Sequence, residues 1–548
     1  MLFLRFAVAL LMFCPAVLLG AQSNAPRPPE RIWGGYAQVP LSEVRPAKWR
    51  TSDGARDGWD WSLPPEVKPA PKSYFALFRT WKRRDLEKLK GLPNLNFKCN
   101  PLVEHWIRWK DLEPSEGNYD FEFLKDMIKA ADSRGYASSI RLLTAGVDFA
   151  PAWLKKYNIP TLKSSGGDGV QSYDPAHPEF HRRYLKLVEA LGESGIPQME
   201  AVKDLYIGYA SPSFGDEGIG PEGRSPDEFP HVLERLKTWA NALSKVERKG
   251  YMGGWSDFGL SLGFGVRRGF VEMYLYHIPD KNIGQALDES GYLILDESAP
   301  LISQNAINGE ENEEYESRWA SAETNFRFGR DTSSFTYRYF SSTLRLIQMR
   351  CNRVLWNEFT LNPELFAWAA LELGRSAKDS PDAWCFLRES YLKPYYAGKS
   401  GAVKNFERFL FQRDAENFET ECAVKILQPA KMWMVDEKRP WDFAARRGER
   451  IGFCLAKDFL SGESKKVAVK ITYFDDEKGE FALRFKCGQK PQSRKVGCEG
   501  SGKVKTATFF IEADFFGNPP PDFDFSIEGQ NGFKPTVSFV RVVKLDSD

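Results

Sequence analysis

No sign of charge dominates this chain of 548 residues: 75 Lys and Arg stand against 74 Asp and Glu, for a formal net charge of +1. Such a balance gives no electrostatic reason to expect nucleic acid or an anionic membrane as a partner. Beyond the first 21 residues no apolar run approaches the roughly 18 residues of a membrane span. Histidine is scarce, with His105, His177, His181, His231 and His277 scattered along the chain. Only His177 and His181 share helical i,i+4 spacing, and the acid between them, Glu179, is not where an HExxH zinc motif requires it. No CxxC pair exists, which argues against a structural zinc knuckle. No Ser/His/Asp arrangement stands out, so acyl hydrolysis is not expected. No glycine-rich loop follows the first strand-like run, which disfavours a doubly wound nucleotide-binding sheet. Neither a metal nor a cofactor is expected.

What is present begins with residues 1–21, which read as a secretory signal. Arg5 supplies the positive charge, Phe6–Leu19 the apolar stretch, and Gly20 and Ala21 the small residues suited to cleavage. Cys14, in LMFCP, lacks the small residues that usually precede a lipoprotein cysteine, so a freely secreted or periplasmic protein is expected. Signal removal leaves Cys99, Cys351, Cys385, Cys422, Cys454, Cys487 and Cys498, an odd set with at least one free thiol. Cys487 and Cys498 fall in a hairpin-like region and are the expected disulfide. Aromatics make up 14% of the chain and include 16 Trp, which suits either a large core or an aromatic-lined cleft.

Residues 22–70, rich in Pro and polar residues, read as an extended arm or linker. From 71 to 401, strand-like and helical runs alternate. FALFRTW precedes DLEKLKGL, and HWIRW precedes FEFLKDMIKAADSRG, whose Phe123, Leu124, Met127, Ile128 and Ala131 share one helical face and whose Gly135 suits a stop. ASSIRLL, DLYIGYA, MGGWS, LSLGFGVRRG, YLILDES and NRVLWNEF continue the series. Roughly eight strand–helix units suit a (β/α)8 TIM barrel. From 402 to 548 short alternating runs such as RIGFCLA, KVAVKITYF and TVSFVRVVKL, separated by charged turns, read as an all-β sandwich. The fold class is thus α/β, a barrel followed by a sandwich.

One string is specific. HWIRWKDLEPSEGNYDF resembles the W-x-x-x-E-P-x-x-G-x-Y-D-F string of several barrel glycosidases, with Trp109, Glu113, Pro114, Gly117, Tyr119, Asp120 and Phe121 matching. The resemblance is to clan A retaining glycoside hydrolases, near the β-galactosidase-like members, and continues through TAGVDFAPAWL and SYDPAHPEFHRRYLKLVEAL. It implies a carboxylate at the end of strand four and another at the end of strand seven. The chemistry agrees: one acid protonates the leaving oxygen, and a carboxylate about 5–5.5 Å away attacks the anomeric carbon in a retaining enzyme. Barrel active sites lie at the C-terminal strand ends.

Counting strands makes Glu217 the expected general acid/base, with neighbouring Asp216 raising its pKa by like-charge repulsion. The family often has Asn directly before this Glu, where this chain has Asp. With YLILDES as the seventh strand, the loop ISQNAINGEENEEYES supplies the nucleophile. Glu311 ranks first and Glu310 second, ahead of Glu313 and Glu314, because both closely follow Gly309. If YLILDES is instead the sixth strand, Glu323 takes that role. Asn357-Glu358 resembles the family's Asn-Glu pair but belongs to strand eight, where Glu358 suits substrate contact. Other expected substrate contacts are Arg79 and Trp81 on strand one, His105, Arg108 and Trp109 on strand two, and Arg141 on strand three. Trp255 on strand five and Arg267 on strand six complete the set. Trp faces suit sugar rings, and the arginines suit an acidic or sulfated glycan. The resulting expectation is a secreted glycoside hydrolase acting on an oligo- or polysaccharide. The alternatives are a carbohydrate-binding pseudoenzyme, which lacks a competent carboxylate pair, and a polysaccharide lyase, which wants a Tyr, His or Lys base.

Overall fold

A computed structural model describes residues 39–80, 85–144, 146–163, 171–208, 229–253, 256–270, 282, 284–304, 306–311, 335–356, 359–392, 401–427, 436, 438–439 and 441–545. Eight parallel strands close a barrel: β1 (Tyr74–Thr80), β2 (Pro101–Arg108), β3 (Ala137–Leu143), β4 (Val202–Tyr206), β5 (Gly250–Gly253), β6 (Gly265–Phe270), β7 (Asn308–Glu311) and β8 (Arg353–Leu355). They run round the barrel in chain order, with β8 pairing β1. The helices Glu122–Asp132, Pro178–Glu193, Pro230–Ala242, Phe335–Gln348 and Pro363–Glu372 belong to the outer layer. Glu122–Asp132 buries Leu124, Met127, Ile128 and Ala131 on one stripe, and Gly135 turns the chain beyond it at φ +79°. Pro363–Glu372 starts on Pro363, with the Asn362 side chain accepting from the Leu365 N–H at 3.0 Å.

The seventh strand differs from the expected one. Leu293–Leu295 of YLILDES pairs antiparallel with Gln285–Leu287 in a two-stranded sheet outside the barrel. Ile294 is 45% exposed, whereas a barrel strand is covered on both faces. The acidic run Asn308–Glu311 is itself β7, held between β6 and β8. Because β6 is Gly265–Phe270, the count that would hand the nucleophile role to Glu323 does not arise; Glu323 lies outside the described residues.

The chain's second part is an antiparallel sandwich. Its five-stranded sheet is built from Leu410–Arg413, Arg450–Leu455, Lys478–Cys487, Lys490–Glu499 and Phe525–Gly529. The eight-stranded partner takes Asp382–Tyr391 as well as later strands, and Gly54–Asp57 from the N-terminal arm pairs at its edge with Lys503–Phe515. Between the sheets lie Leu387, Ile451, Phe453, Val469, Ile471, Phe481, Leu483, Ile511 and Val540. The eight-stranded sheet packs its other face on the barrel. Phe340 meets Phe386 at 4.9 Å, and Trp61 meets Trp368 at 5.0 Å and Phe539 at 5.4 Å. That contact explains the composition of Pro363–Glu372. Leu365 through Ala370 are all buried, because one side of the helix faces the barrel and the other the sheet.

The expected disulfide does not form. The hairpin turns immediately after Cys487, which sits opposite Lys490, while Cys498 sits opposite Gly479 at the far end. Eight residues of extended strand separate the two cysteines along the hairpin, far beyond the span of a disulfide. All seven described cysteines are free thiols. Alkylation in denaturant without reductant is therefore expected to modify both Cys487 and Cys498, and a peptide map showing them cross-linked would contradict this register.

Candidate active site

Alternation along the strands sorts the barrel residues into wall and lumen. On β2, Val103 and Ile107 join the core under the helices, so Glu104 and Trp106 face inward. On β3, Ile140 and Leu142 pack outward while Ser139 and Arg141 face inward. The lumen is filled by charge. Arg353 of β8 reaches Glu104 at 2.7 Å and Asp204 of β4 at 3.4 Å, and donates to Ser139 at 3.2 Å. Arg79 approaches Glu104 at 3.6 Å, and Trp106 Nε1 and Ser139 donate to Glu104 and Asp204 respectively. Above them lie aromatic faces. Arg79 and Arg141 sit over Trp106 at 4.1 and 4.4 Å, Arg141 and Arg267 over Tyr206 at 4.5 and 5.7 Å, and Arg353 over Tyr251 at 4.8 Å. β7 runs beside them: a Cβ at Gly309 would be in ordinary contact with the Arg353 side chain at 3.4 Å and with Tyr251 at 3.8 Å.

Electrostatics follow from this packing. Burial raises the Glu104 pKa, but Arg353, Arg79 and Arg141 outweigh it and hold the carboxyl at about 2. Asp204 is pushed up by burial, which Arg353 offsets only in part. Among the described lumen residues, four arginines (Arg79, Arg141, Arg267 and Arg353) face two carboxylates (Glu104 and Asp204).

The expected contact residues divide between lumen and wall. Arg79, Arg141 and Arg267 come together over Trp106 and Tyr206, although Arg141 and Arg267 are only 1% and 6% exposed. Arg108 ends β2 in a two-pronged pair with Asp111 at 2.6 and 2.8 Å. His105 is not in the lumen. It is wholly buried on the helix side of β2, bonded to Thr80 at 3.0 Å and Ser138 at 3.1 Å. Trp109 is likewise buried, edge-on to Phe180 and Trp153, and donates to Glu113 at 2.6 Å. That bond explains the WxxxEP string: Glu113 also accepts from Gly117 N–H at 2.7 Å, and Gly117 takes φ +75°, so the motif builds a turn. Asp216, Glu217, Trp81, Trp255, Asn357 and Glu358 lie outside the described residues. Glu310 and Glu311 close β7, beside Val354 and Leu355 of β8, and their backbone alone is described.

Glu104, Trp106, Asp204, Tyr206, Tyr251 and Arg353 form the lumen without having been singled out as candidates. Their signal was a polar or aromatic residue at every second position of an otherwise apolar strand, as in PLVEHWIR. The string GLSLG at 259–263 has the spelling of a serine-hydrolase elbow. It runs from the end of the helix Ser256–Ser261 toward β6, and Ser261 bonds back to Phe258, so it is not the strand-to-helix turn that chemistry needs.

A family model described as Beta-galactosidase, of the glycoside hydrolase 42 type, matches residues 81–194. No curated protein matches. Among solved structures, an exo-β-1,4-mannosidase from Opitutaceae bacterium strain TAV5 is similar at 14% identity, covering 45% of this chain and 38% of that one, with a TM-score of 0.24. A β-galactosidase from the Antarctic haloarchaeon Halorubrum lacusprofundi is similar at 14% identity over 38% and 42% of the two chains, with a TM-score of 0.25. The catalytic domain of β-amylase from Paenibacillus polymyxa is similar at 10% identity over 56% and 99%, with a TM-score of 0.33. This chain therefore spans less than half the length of the mannosidase and the β-galactosidase. The closed barrel defines the class of fold, a (β/α)8 barrel. Within it, the segment from the end of β1 to the helix after β3 is similar to the family described as Beta-galactosidase.

Burial lowers the His105 pKa to about 4, against the upward pull of Glu104 and Asp85. A histidine depressed in the folded state contributes stability above its unfolded value near 6.5, and loses it as pH falls from about 6.5 to 4, for about 3 kcal/mol in all. In urea titrations from pH 7 to 4, His105→Gln is expected to flatten the fall in stability; an unchanged slope would show that His105 is not held neutral. Arg353→Met, which strands Glu104 and Asp204, is expected to cost about 3–5 kcal/mol in the same assay at pH 7. A loss under 1 kcal/mol, the scale of an exposed pair, would contradict the buried network.

Proposed function

We propose that the protein is a secreted retaining glycoside hydrolase that acts on a glycan carrying anionic groups. Glu217 protonates the leaving oxygen while Glu311 attacks the anomeric carbon, giving a glycosyl-enzyme. Glu217 then takes a proton from water, which releases the sugar with its original anomeric configuration. The observation that carries the reading is the setting of β7. Position 311 ends this strand of a closed barrel, two residues beyond Gly309, where a Cβ would be directed at the side chains of Arg353, its partner on β8, and Tyr251. By the two-residue alternation position 311 shares the strand face of Gly309 and position 310 does not, which favours Glu311 over Glu310. The gathering of Arg79, Arg141 and Arg267 over Trp106 and Tyr206 supports the anionic part of the proposal, since a guanidinium offers paired donors to a carboxylate or sulfate. Support for the acid/base is more distant: Glu217 follows β4 in the chain, as the resemblance implies. Residues 1–21 support secretion.

The test uses the mature chain with aryl glycosides and with plant and algal polysaccharides, followed by reducing-end release and by NMR of the first-formed anomer. Glu217→Gln and Glu311→Gln are each expected to lower kcat by about 10³-fold or more, and Glu310→Gln far less. A 2-deoxy-2-fluoro glycoside of the hydrolysed sugar is expected to label the peptide carrying Glu311. An inverted first product would overturn the retaining mechanism, and wild-type rates in Glu217→Gln would remove it as acid/base. Glycan binding without turnover would favour the pseudoenzyme.

A further inference from the structure

At the end of the barrel opposite the C-terminal strand ends lies a cleft of about 760 Å³. Three segments distant in sequence form it: residues 64–69 of the arm, residues 375–381 after the last barrel helix, and residues 459–466 with Lys544 of the sandwich. Its position follows from Gly374, where a Cβ would meet Asn352 at 2.9 Å and Ser73 at 3.5 Å, the residues directly before β8 and β1. Its volume lies in the range of pockets that take small ligands.

The lining is strongly basic. Lys68, Arg375, Lys378, Lys465, Lys466 and Lys544 face two acids, Glu66 and Asp379. Arg375 is spent on structure, donating to the carbonyls of Leu371, Asp379 and Lys68. Lys544 lies over the Phe459 ring at 4.2 Å and donates to the Lys378 carbonyl. The other four lysines make no ion pair among the described residues. Elsewhere on the sandwich exposed lysines do pair, as Lys495 does with Glu480 at 2.7 Å and Lys503 with Asp57 at 2.5 Å. In a chain of net charge +1, four unpaired ammonium groups around one concavity make a local positive field that a bound polyanion would satisfy.

We propose that this cleft holds a segment of an anionic polysaccharide, sulfated or uronate-bearing, at a second site remote from the barrel mouth. The inference rests on the glycan reading above. Lining chemistry favours a sugar chain over single-stranded nucleic acid. Nucleic acid needs exposed aromatic platforms, whereas the cleft's aromatic, Phe459, is buried under Lys544. Pro69 and Pro381, both half-buried, offer small apolar surfaces in the lining instead.

Calorimetry on the full chain tests this, with Glu311→Gln present throughout so that the probe is not consumed. The probes are dextran sulfate oligomers, oligogalacturonate, neutral dextran and a dT12 oligonucleotide. Lys378→Glu/Lys465→Glu/Lys466→Glu is expected to weaken binding to one or both anionic glycans at least tenfold at this site, with Lys478→Glu/Lys490→Glu/Lys495→Glu, at exposed positions outside the cleft, as the charge-matched control. If the barrel also binds the probe, the triple variant lowers the stoichiometry from two to one. If the glycosidase reading fails, it lowers it from one to none, so the two failures are distinguishable. Unchanged stoichiometry and affinity would overturn the cleft, as would equal binding of neutral dextran or tighter binding of dT12. Thermal melting checks folding, and Lys466→Glu alone, at an exposed position, carries the test if the triple variant melts early.

Discussion

Eight short parallel strands close only around a filled centre, and here that centre is charged. Arg353 bridges Glu104 and Asp204 across the barrel, joining strands two, four and eight through one guanidinium. An Arg fork can serve two carboxylates because its donors are fixed in one plane. The rest of the lumen follows from that choice. Gly309 lies beside Arg353, and Tyr251, Tyr206 and Trp106 cover the guanidinium groups with ring faces in place of water. The strand that carries the glycine then ends in Glu310 and Glu311, so the packing of the barrel and the siting of its rim carboxylates are one problem.

A second constraint joins barrel and sandwich. The helix Pro363–Glu372 has no polar face because both of its sides are covered. The arm is part of the same seam. Asp60 pairs with Lys470 at 2.8 Å and Arg50 at 3.1 Å, while Arg541 donates to the Asp60 carbonyl at 2.6 Å and pairs with Asp382. Trp59 and Trp61 stack above it, within 6 Å of Phe340 and Phe539. The stretch that read as a linker in its described part therefore belongs to both cores, and the same convergence leaves the basic cleft at its edge.

Legibility in the sequence tracked local regularity. Helix stripes such as Leu124, Met127, Ile128 and Ala131 were plain, because burial of one helix face imposes its period on the letters. The barrel's strand count was also legible, apart from β7. YLILDES is apolar and β-branched, yet it forms a partly exposed hairpin, while the true strand reads NGEE. A strand whose inward side faces arginine has no reason to look apolar. Histidine and tryptophan near strand ends were ambiguous for a related reason. His105 differs from Trp106 only in parity, and a shift of one residue moves a side chain from wall to lumen, while Trp109 opens the short helix Trp109–Leu112 that follows the strand.

By itself the sequence determined the class of fold, the order of its units, and the chemistry available at strand ends. These rest on short-range patterns of period 2 and 3.6, which each segment carries alone. Only the tertiary structure decided which charged residues face one another. It brought Arg353 to Glu104 across 249 positions and Lys470 to Asp60 across 410, and it placed Lys68 beside the cleft that Lys466 lines. Long-range ion pairs leave no periodic trace, because their partners are chosen by how the closed barrel and the sheet beside it bring distant strands together.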